Sequence, residues 1–183
     1  MKCFFRELKT AGVIAERLAI QPLAEEHEKV LSGCANVDDY LSKSDAPKEY
    51  KRLLSLLPES PLKILDIGCG RGESSLFLSS VGHQVFAVEP SEDFCRLIEN
   101  AASKFGLPVT VCNGVAEDLD RLGETGFDAV FFNSSLHHCD DPNTALRHSY
   151  SALRPGGFIL LVSELFIRPW VSKTRWYRRL AGC

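Results

Sequence analysis

The sequence predicts an α/β domain built on a doubly wound, mostly parallel sheet, and three observations carry that expectation. From Leu62 onward, five short apolar runs alternate with stretches of helical periodicity. The runs are continuous or nearly so, as strands buried on both faces are. Each gap is long enough for a helix, and alternating strand and helix gives parallel pairing through right-handed crossovers.

In chain order, residues 1–61 form an N-terminal helical segment. Leu8, Val13, Ile14 and Leu18, then Val30 and Leu31, recur at helical spacing. A polar stretch from Asn36 to Pro47 breaks the pattern, Tyr50, Leu53, Leu54 and Leu57 resume it, and Pro58 and Pro61 close it. The α/β core spans residues 62–164, with strands expected at 63–67, 84–89, 108–112, 129–133 and 158–162. After the second strand, Ser91 can cap a helix, Glu92 and Asp93 suit its positive end, and Phe94, Leu97, Ile98 and Ala101 make one stripe. Before the fifth strand, Asp141 and Pro142 start a helix that runs to Pro155, Gly156 and Gly157. Residues 165–183 are basic and aromatic: Arg168, Lys173, Arg175, Arg178 and Arg179 interleave with Phe166, Trp170, Trp176 and Tyr177. Such a patch can meet nucleic acid or a membrane surface. A substrate lid, or a helix lacking its partner surface, is the preferred expectation.

Composition excludes several classes. The 183 residues are 45% apolar and 25% charged with a net charge of −3, outside the range of disordered chains. No apolar run reaches the roughly 18 residues of a membrane-spanning helix. No basic leader runs into an apolar stretch, so the expected location is cytoplasmic. The 7 cysteines are odd in number and none lies close to another, against both a disulfide framework and a structural zinc site. Buried, reduced thiols are expected.

In such sheets ligands bind beyond the carboxyl ends of the strands, where strand order reverses. The first of these loops reads Ile67-Gly68-Cys69-Gly70-Arg71-Gly72 and leads from strand into helix. Its glycines let the backbone approach a ligand closely. A dinucleotide fingerprint would need a third glycine at position 73, where Glu73 stands and would oppose a pyrophosphate. No Lys follows as in a phosphate-binding loop, so the expected ligand carries no phosphate here. Asp66, near the end of a buried strand, needs a partner, either the turn's own N–H groups or a cationic ligand. Glu89 ends the second strand, where an acidic residue can accept both hydroxyls of a ribose.

Residues 64–72 together with Glu89 closely resemble the class I S-adenosylmethionine-dependent methyltransferases, whose first strand leads into D-x-G-x-G. Further matches follow in order: Gly114 to Leu119, Phe127-Asp128, Leu136-His137-His138, and Leu153 to Gly157. The resemblance implies a Rossmann-like sheet of order 3-2-1-4-5 and S-adenosyl-L-methionine as cofactor. It implies methyl transfer to an unidentified small-molecule nucleophile. Gly68 and Gly70 would contact the cofactor's methionine part, Cys69 between them would also be cofactor-binding, Asp66 would hold the loop and the ammonium, and Glu89 the ribose. Ala116 and Glu117 would lie by the adenine, and Asn133 would face the methionine part. Val115 stands where the family often has an Asp that accepts the adenine amino group.

His138 is the candidate general base, since imidazole titrates near neutral pH and this loop borders the substrate. No metal is expected at His137-His138-Cys139-Asp140-Asp141, because no second ligand group stands at a recognisable spacing. The family sheet normally ends in a two-strand hairpin that this sequence lacks room for. The expectation is a fragment whose fifth strand leaves an open edge prone to self-association. Two alternatives stay open: a non-catalytic, fold-only interaction module, and a nicotinamide-dependent dehydrogenase, which Glu73 disfavours.

Overall fold

The computed structural model of the protein describes residues 11–43 and 55–164, with side chains from residue 21 onward. The expectations placed on Leu8, Tyr50, Leu53, Leu54 and on residues 165–183 lie outside the described residues. The elements are α1 (Ala11–Ser32), α2 (Val37–Ser42), β1 (Lys63–Ile67), α3 (Glu73–Ser80), β2 (Gln84–Glu89), α4 (Glu92–Phe105), β3 (Val109–Asn113), β4 (Phe127–Asn133), α5 (Pro142–Ala152) and β5 (Leu153–Val162). Two short 3₁₀ turns, joined across a kink at Asp118, occupy Ala116–Arg121, and a single one occupies Leu136–His138.

All four strand pairings are parallel, and the sheet order is β3-β2-β1-β4-β5, as expected. Ile67 pairs with Val88 on one side and with Phe132 on the other, so β1 is the central strand. Strand order reverses between β1 and β4, which sets the ligand crevice at their carboxyl ends.

Alternation along the strands fills two faces. Leu65, Ile67, Val88, Val130 and Phe132 face Leu119, Leu122 and Ala145. Ile64, Val85, Ala129 and Phe131 face Leu78 of α3 on the other side. Beyond that layer, Leu76, Phe94, Leu97 and Ala101 pack against Ala24 and Leu31 of α1. Phe132 is 0% exposed, so truncating it to Ala would cost about 3–5 kcal/mol.

β1 and β2 have the expected limits, and three departures have identifiable causes. The polar stretch after Asn36 contains a helix, α2. The Asn36 side chain accepts the Asp39 N–H as its cap, and Tyr40 and Leu41 are buried against the helical layer. The third gap holds a 3₁₀ turn rather than an α-helix, and it buries Ala116 and Leu119. α5 stops at Ala152 instead of running to Pro155-Gly156-Gly157. Leu153 already pairs with Phe127, and a register shift between Phe127 and Ala129 absorbs the extra residues. Among the described residues, no helix is long and apolar enough to cross a membrane.

Candidate functional site

The loop after β1 is pinned before it turns. Gly68 N–H donates to Val88 O at 2.8 Å, which extends the β1–β2 ladder one residue past the strand. Gly68 (φ 66°) and Gly72 (φ 80°) lie in the left-handed region, where glycine has no steric penalty. Both are also crowded. A Cβ on Gly72 would stand 2.4 Å from Ile98 Cγ1, so any other residue there would have to displace Ile98 and strain the left-handed turn into α3.

Asp66 is fully buried on the face under α3. Its Oδ2 accepts the hydroxyls of Ser74 (2.7 Å) and Ser75 (2.6 Å), while Oδ1 has no protein partner among the described residues. Burial pushes its carboxyl up to about 6, against the pull of the two serine hydroxyls. Of the two partners weighed for Asp66 in the sequence, the turn's N–H groups make no bond to it among the described residues; these serines take their place, because the carboxylate points into α3 rather than along the loop. Burial, with Asp66 and Glu89 nearby, also raises the Cys69 thiol well above its ordinary value.

Glu89 is 5% exposed at the end of β2. Its Oε2 accepts Gly70 N–H and its Oε1 accepts Ser91 N–H, both at 2.9 Å. One carboxylate thus ties the glycine loop to the start of α4, and a carboxylate has room for about four donors.

These groups border a cavity of about 360 Å³ at the carboxyl ends of the strands. Ile67, Gly68 and Gly70 form one side, and Glu89, Pro90, Ser91 and Phe94 the next. Gly114, Val115, Ala116 and Glu117 close the β3 side. Ser134, Ser135, His138, Cys139 and Asp140 supply the β4 side. The ionisable groups on this wall are Glu89, Glu117, His138, Asp140 and the Cys139 thiol; no Lys or Arg of the described residues is among them. Burial and then the Glu117 carboxylate push the Cys139 thiol up to about 12. The wall suits a cationic ligand and disfavours a phosphate.

Of the residues singled out in the sequence, Gly68, Gly70, Glu89, Ala116, Glu117 and His138 come together on this wall. Asp66 and Cys69 stand behind it. Asn133 is also off the wall: it ends β4, half-buried and paired with Val162. Ser134 then turns the chain through a left-handed conformation (φ 55°), so Ser134 and Ser135 face the cavity instead.

Sequence reasoning also missed Phe94 and Pro90, although Phe94 was visible as a helix-stripe residue. It missed Glu164 entirely. Glu73, the residue at the third-glycine position, forms an ion pair with Arg71 at 3.2 Å, and Arg71 in turn bonds His27 of α1 at 2.7 Å. Among the described residues, no group of three or more His, Cys, Asp or Glu is placed to hold a metal ion.

Comparison with known proteins agrees with this geometry. A family model described as a methyltransferase domain matches residues 65–161, just over half of the chain. The ubiquinone biosynthesis O-methyltransferase of Cereibacter sphaeroides is 31% identical over 122 residues, covering 67% of this chain and 49% of that protein. The tRNA 5-carboxymethoxyuridine methyltransferase of Escherichia coli K12 is 28% identical over 117 residues, covering 63% and 45%. A solved Burkholderia thailandensis 1,6-didemethyltoxoflavin-N1-methyltransferase, with S-adenosylhomocysteine bound, superposes with a TM-score of 0.56 at 26% identity, over 84% of this chain and 65% of that one. The chain spans about half the length of the curated relatives it matches.

Proposed function

This chain belongs to the methyltransferase domain family, and on that premise we propose that its cavity binds S-adenosylmethionine for methyl transfer to a nucleophilic atom of a small molecule. The observation that carries the reading is Glu89. Its nearly buried carboxylate reaches the cavity while holding Gly70 and Ser91, a fixed acceptor for the hydroxyls of a ribose.

The residues present fit that cofactor. The chain at Gly68 lies so close to Ser135 that a side chain there would fill the cradle. The acidic wall matches a sulfonium and an ammonium, and the absence of a cation among its described residues matches a nucleoside without phosphate. When bound, the cofactor supplies an electrophilic methyl group on positive sulfur. The protein's part is to orient it. Gly68, Ser134 and Ser135 border the methionine part, Glu89 the ribose, and Ala116, Glu117 and Phe94 the adenine. Asp66 acts from behind, holding β1 against α3 so that the loop keeps its path. Val115 offers the adenine amino group no side-chain acceptor, which leaves Glu117 and backbone carbonyls for that task. An in-line approach of the acceptor lowers the barrier chiefly by positioning.

Several relatives are named as O-methyltransferases, and a hydroxyl of a small molecule is the acceptor we favour. Isothermal titration with S-adenosylhomocysteine tests the reading directly. Folded protein that takes up none at millimolar ligand would overturn it.

A further inference from the structure

The cavity-wall loops after β1 and β4 commit their hydrogen-bond donors to the protein itself. After β1, Gly68 N–H goes to Val88 O and Gly70 N–H to Glu89 Oε2, at 2.8 and 2.9 Å. After β4, Ser134 N–H goes to Val162 O (2.9 Å), His138 N–H to Ser135 O (3.1 Å) and Cys139 N–H to Leu136 O (3.2 Å). Ser135 N–H goes to Oε1 of Glu164 (2.8 Å), a carboxylate 2% exposed and two residues past the end of β5. Glu164 also accepts the N–H groups of Leu136 (2.9 Å) and His137 (3.2 Å), and it lies 2.8 Å from Nδ1 of the His137 ring.

The wall hydroxyls are committed in the same way. Ser134 Oγ donates to Ser163 O at 3.0 Å, and Ser135 Oγ donates to Ile67 O at 2.6 Å. A hydroxyl has one proton and two lone pairs, so each serine keeps only acceptor capacity for a ligand. Among the described wall residues of the β4 side, the side-chain donors that remain are the His138 ring and the Cys139 thiol. Neither carries the permanent charge of a Lys or Arg.

The start of α4 reaches the wall at Ser91 and Phe94, and a helix start is a natural seat for an anion. Here protein groups already supply it. Ser91 N–H goes to Glu89 Oε1, Phe94 N–H goes to Ser91 Oγ, and Glu92 and Asp93 stand in the first turn. Glu117 and Asp140 add further carboxylates to the wall. Burial first, then the charges of Glu117, Glu164 and Asp140, push the Cys139 thiol up, so negative charge dominates this side.

We propose that the cavity reads the ammonium of its ligand and not the carboxylate, so that an adenine thionucleoside with an aminopropyl chain in place of the amino acid is a full ligand. This rests on the methyl-transfer reading above. An ammonium brings three donors and a positive charge to lone pairs and carboxylates. A carboxylate brings only lone pairs, and it finds no Lys or Arg among the described wall residues. Taken from water without a donor, it gains nothing to offset its lost hydration.

Titration calorimetry of the whole chain with four thioethers tests this. S-adenosylhomocysteine carries both groups, its decarboxylated form only the ammonium, its deaminated form only the carboxylate, and methylthioadenosine neither. Adding the ammonium should tighten binding at least about tenfold in both pairs, the factor for one charge-assisted hydrogen bond. Adding the carboxylate should change affinity by less than about threefold, below the worth of such a bond. Where S-adenosylhomocysteine binds, a carboxylate that contributes as much as the ammonium overturns the proposal and leaves the methyl-transfer reading standing. An ammonium that contributes nothing does the same. Uptake of none of the four overturns both.

Discussion

A Cβ placed on Gly68 would stand 2.6 Å from the Cβ of Ser135, across the seam between β1 and β4. The same serine donates its hydroxyl to Ile67 O at 2.6 Å, over a separation of 68 residues. The floor of the cavity is therefore one close approach of the Gly68 backbone to the Ser135 side chain, with no room for a Cβ between them.

Gly68→Ala tests that contact. The left-handed backbone alone would cost about 1–2 kcal/mol, and displacement of Ser135 would add to it. We expect a lowered thermal midpoint and weaker uptake of S-adenosylhomocysteine, with Gly68→Val worse on both counts. Melting curves and calorimetry on the two variants check the order, and a Gly68→Val protein that folds and binds normally would contradict it.

Glu89→Ala should weaken S-adenosylhomocysteine binding by about 1.5–3 kcal/mol, the range for losing hydrogen bonds to a charged group. Part of that loss is indirect, because Gly70 and Ser91 lose their acceptor too. Titration calorimetry reads it, and unchanged affinity would remove Glu89 from the site.

Asp66 gives a pH dependence of unusual sign. Its carboxyl sits at about 6 in the folded chain against 3.8 in the unfolded one, so the folded state holds a proton that the unfolded state releases. Stability from this group is full below about pH 4 and falls as pH rises through about 6, by about 3 kcal/mol in all. Urea midpoints of wild type and Asp66→Asn at the two ends of that window should diverge, with the variant gaining relative to wild type at the higher pH. Parallel curves would show that Asp66 keeps its charge buried at no cost.

Arg71 ties the glycine loop to α1 through His27 and to α3 through Glu73. Its guanidinium is partly exposed, so Arg71→Ala should lower global stability by only about 1 kcal/mol. The local effect should be larger. Amide exchange in the described part of α1 should accelerate while α4 keeps its protection. Equal protection in both helices would mean that apolar packing alone docks α1.

The sheet was legible because its strands are continuous apolar runs, and the loop glycines and Glu89 were legible because they sit where those runs stop. What escaped depends on the third dimension. α2 is only six residues long, so Val37, Tyr40 and Leu41 span too little chain for a period to stand out in a polar stretch, and their burial comes from neighbouring helices. Asn133 has the right position in sequence, but the left-handed Ser134 after it turns the next two residues toward the cavity instead. Asp66 was recognised as a buried carboxylate in need of partners, and the partners proved to be two serines of the following helix. Glu164 had no local signal, since its four donors lie 27 to 29 residues earlier in the chain.

The cavity takes its walls from the ends of β1, β2, β3 and β4, so no fragment of the sheet contains it. A ligand bound there recognises only the fully assembled core, and partial opening on either side of β1 abolishes its site. By mass action, ligand at a hundred times its dissociation constant would add about 2.7 kcal/mol to global unfolding. Occupancy would then be felt far from the cavity, as slower proteolysis and slower exchange even at the buried strand residues Leu65 and Val130. Cellular lifetime of the folded core would follow the supply of its small molecule.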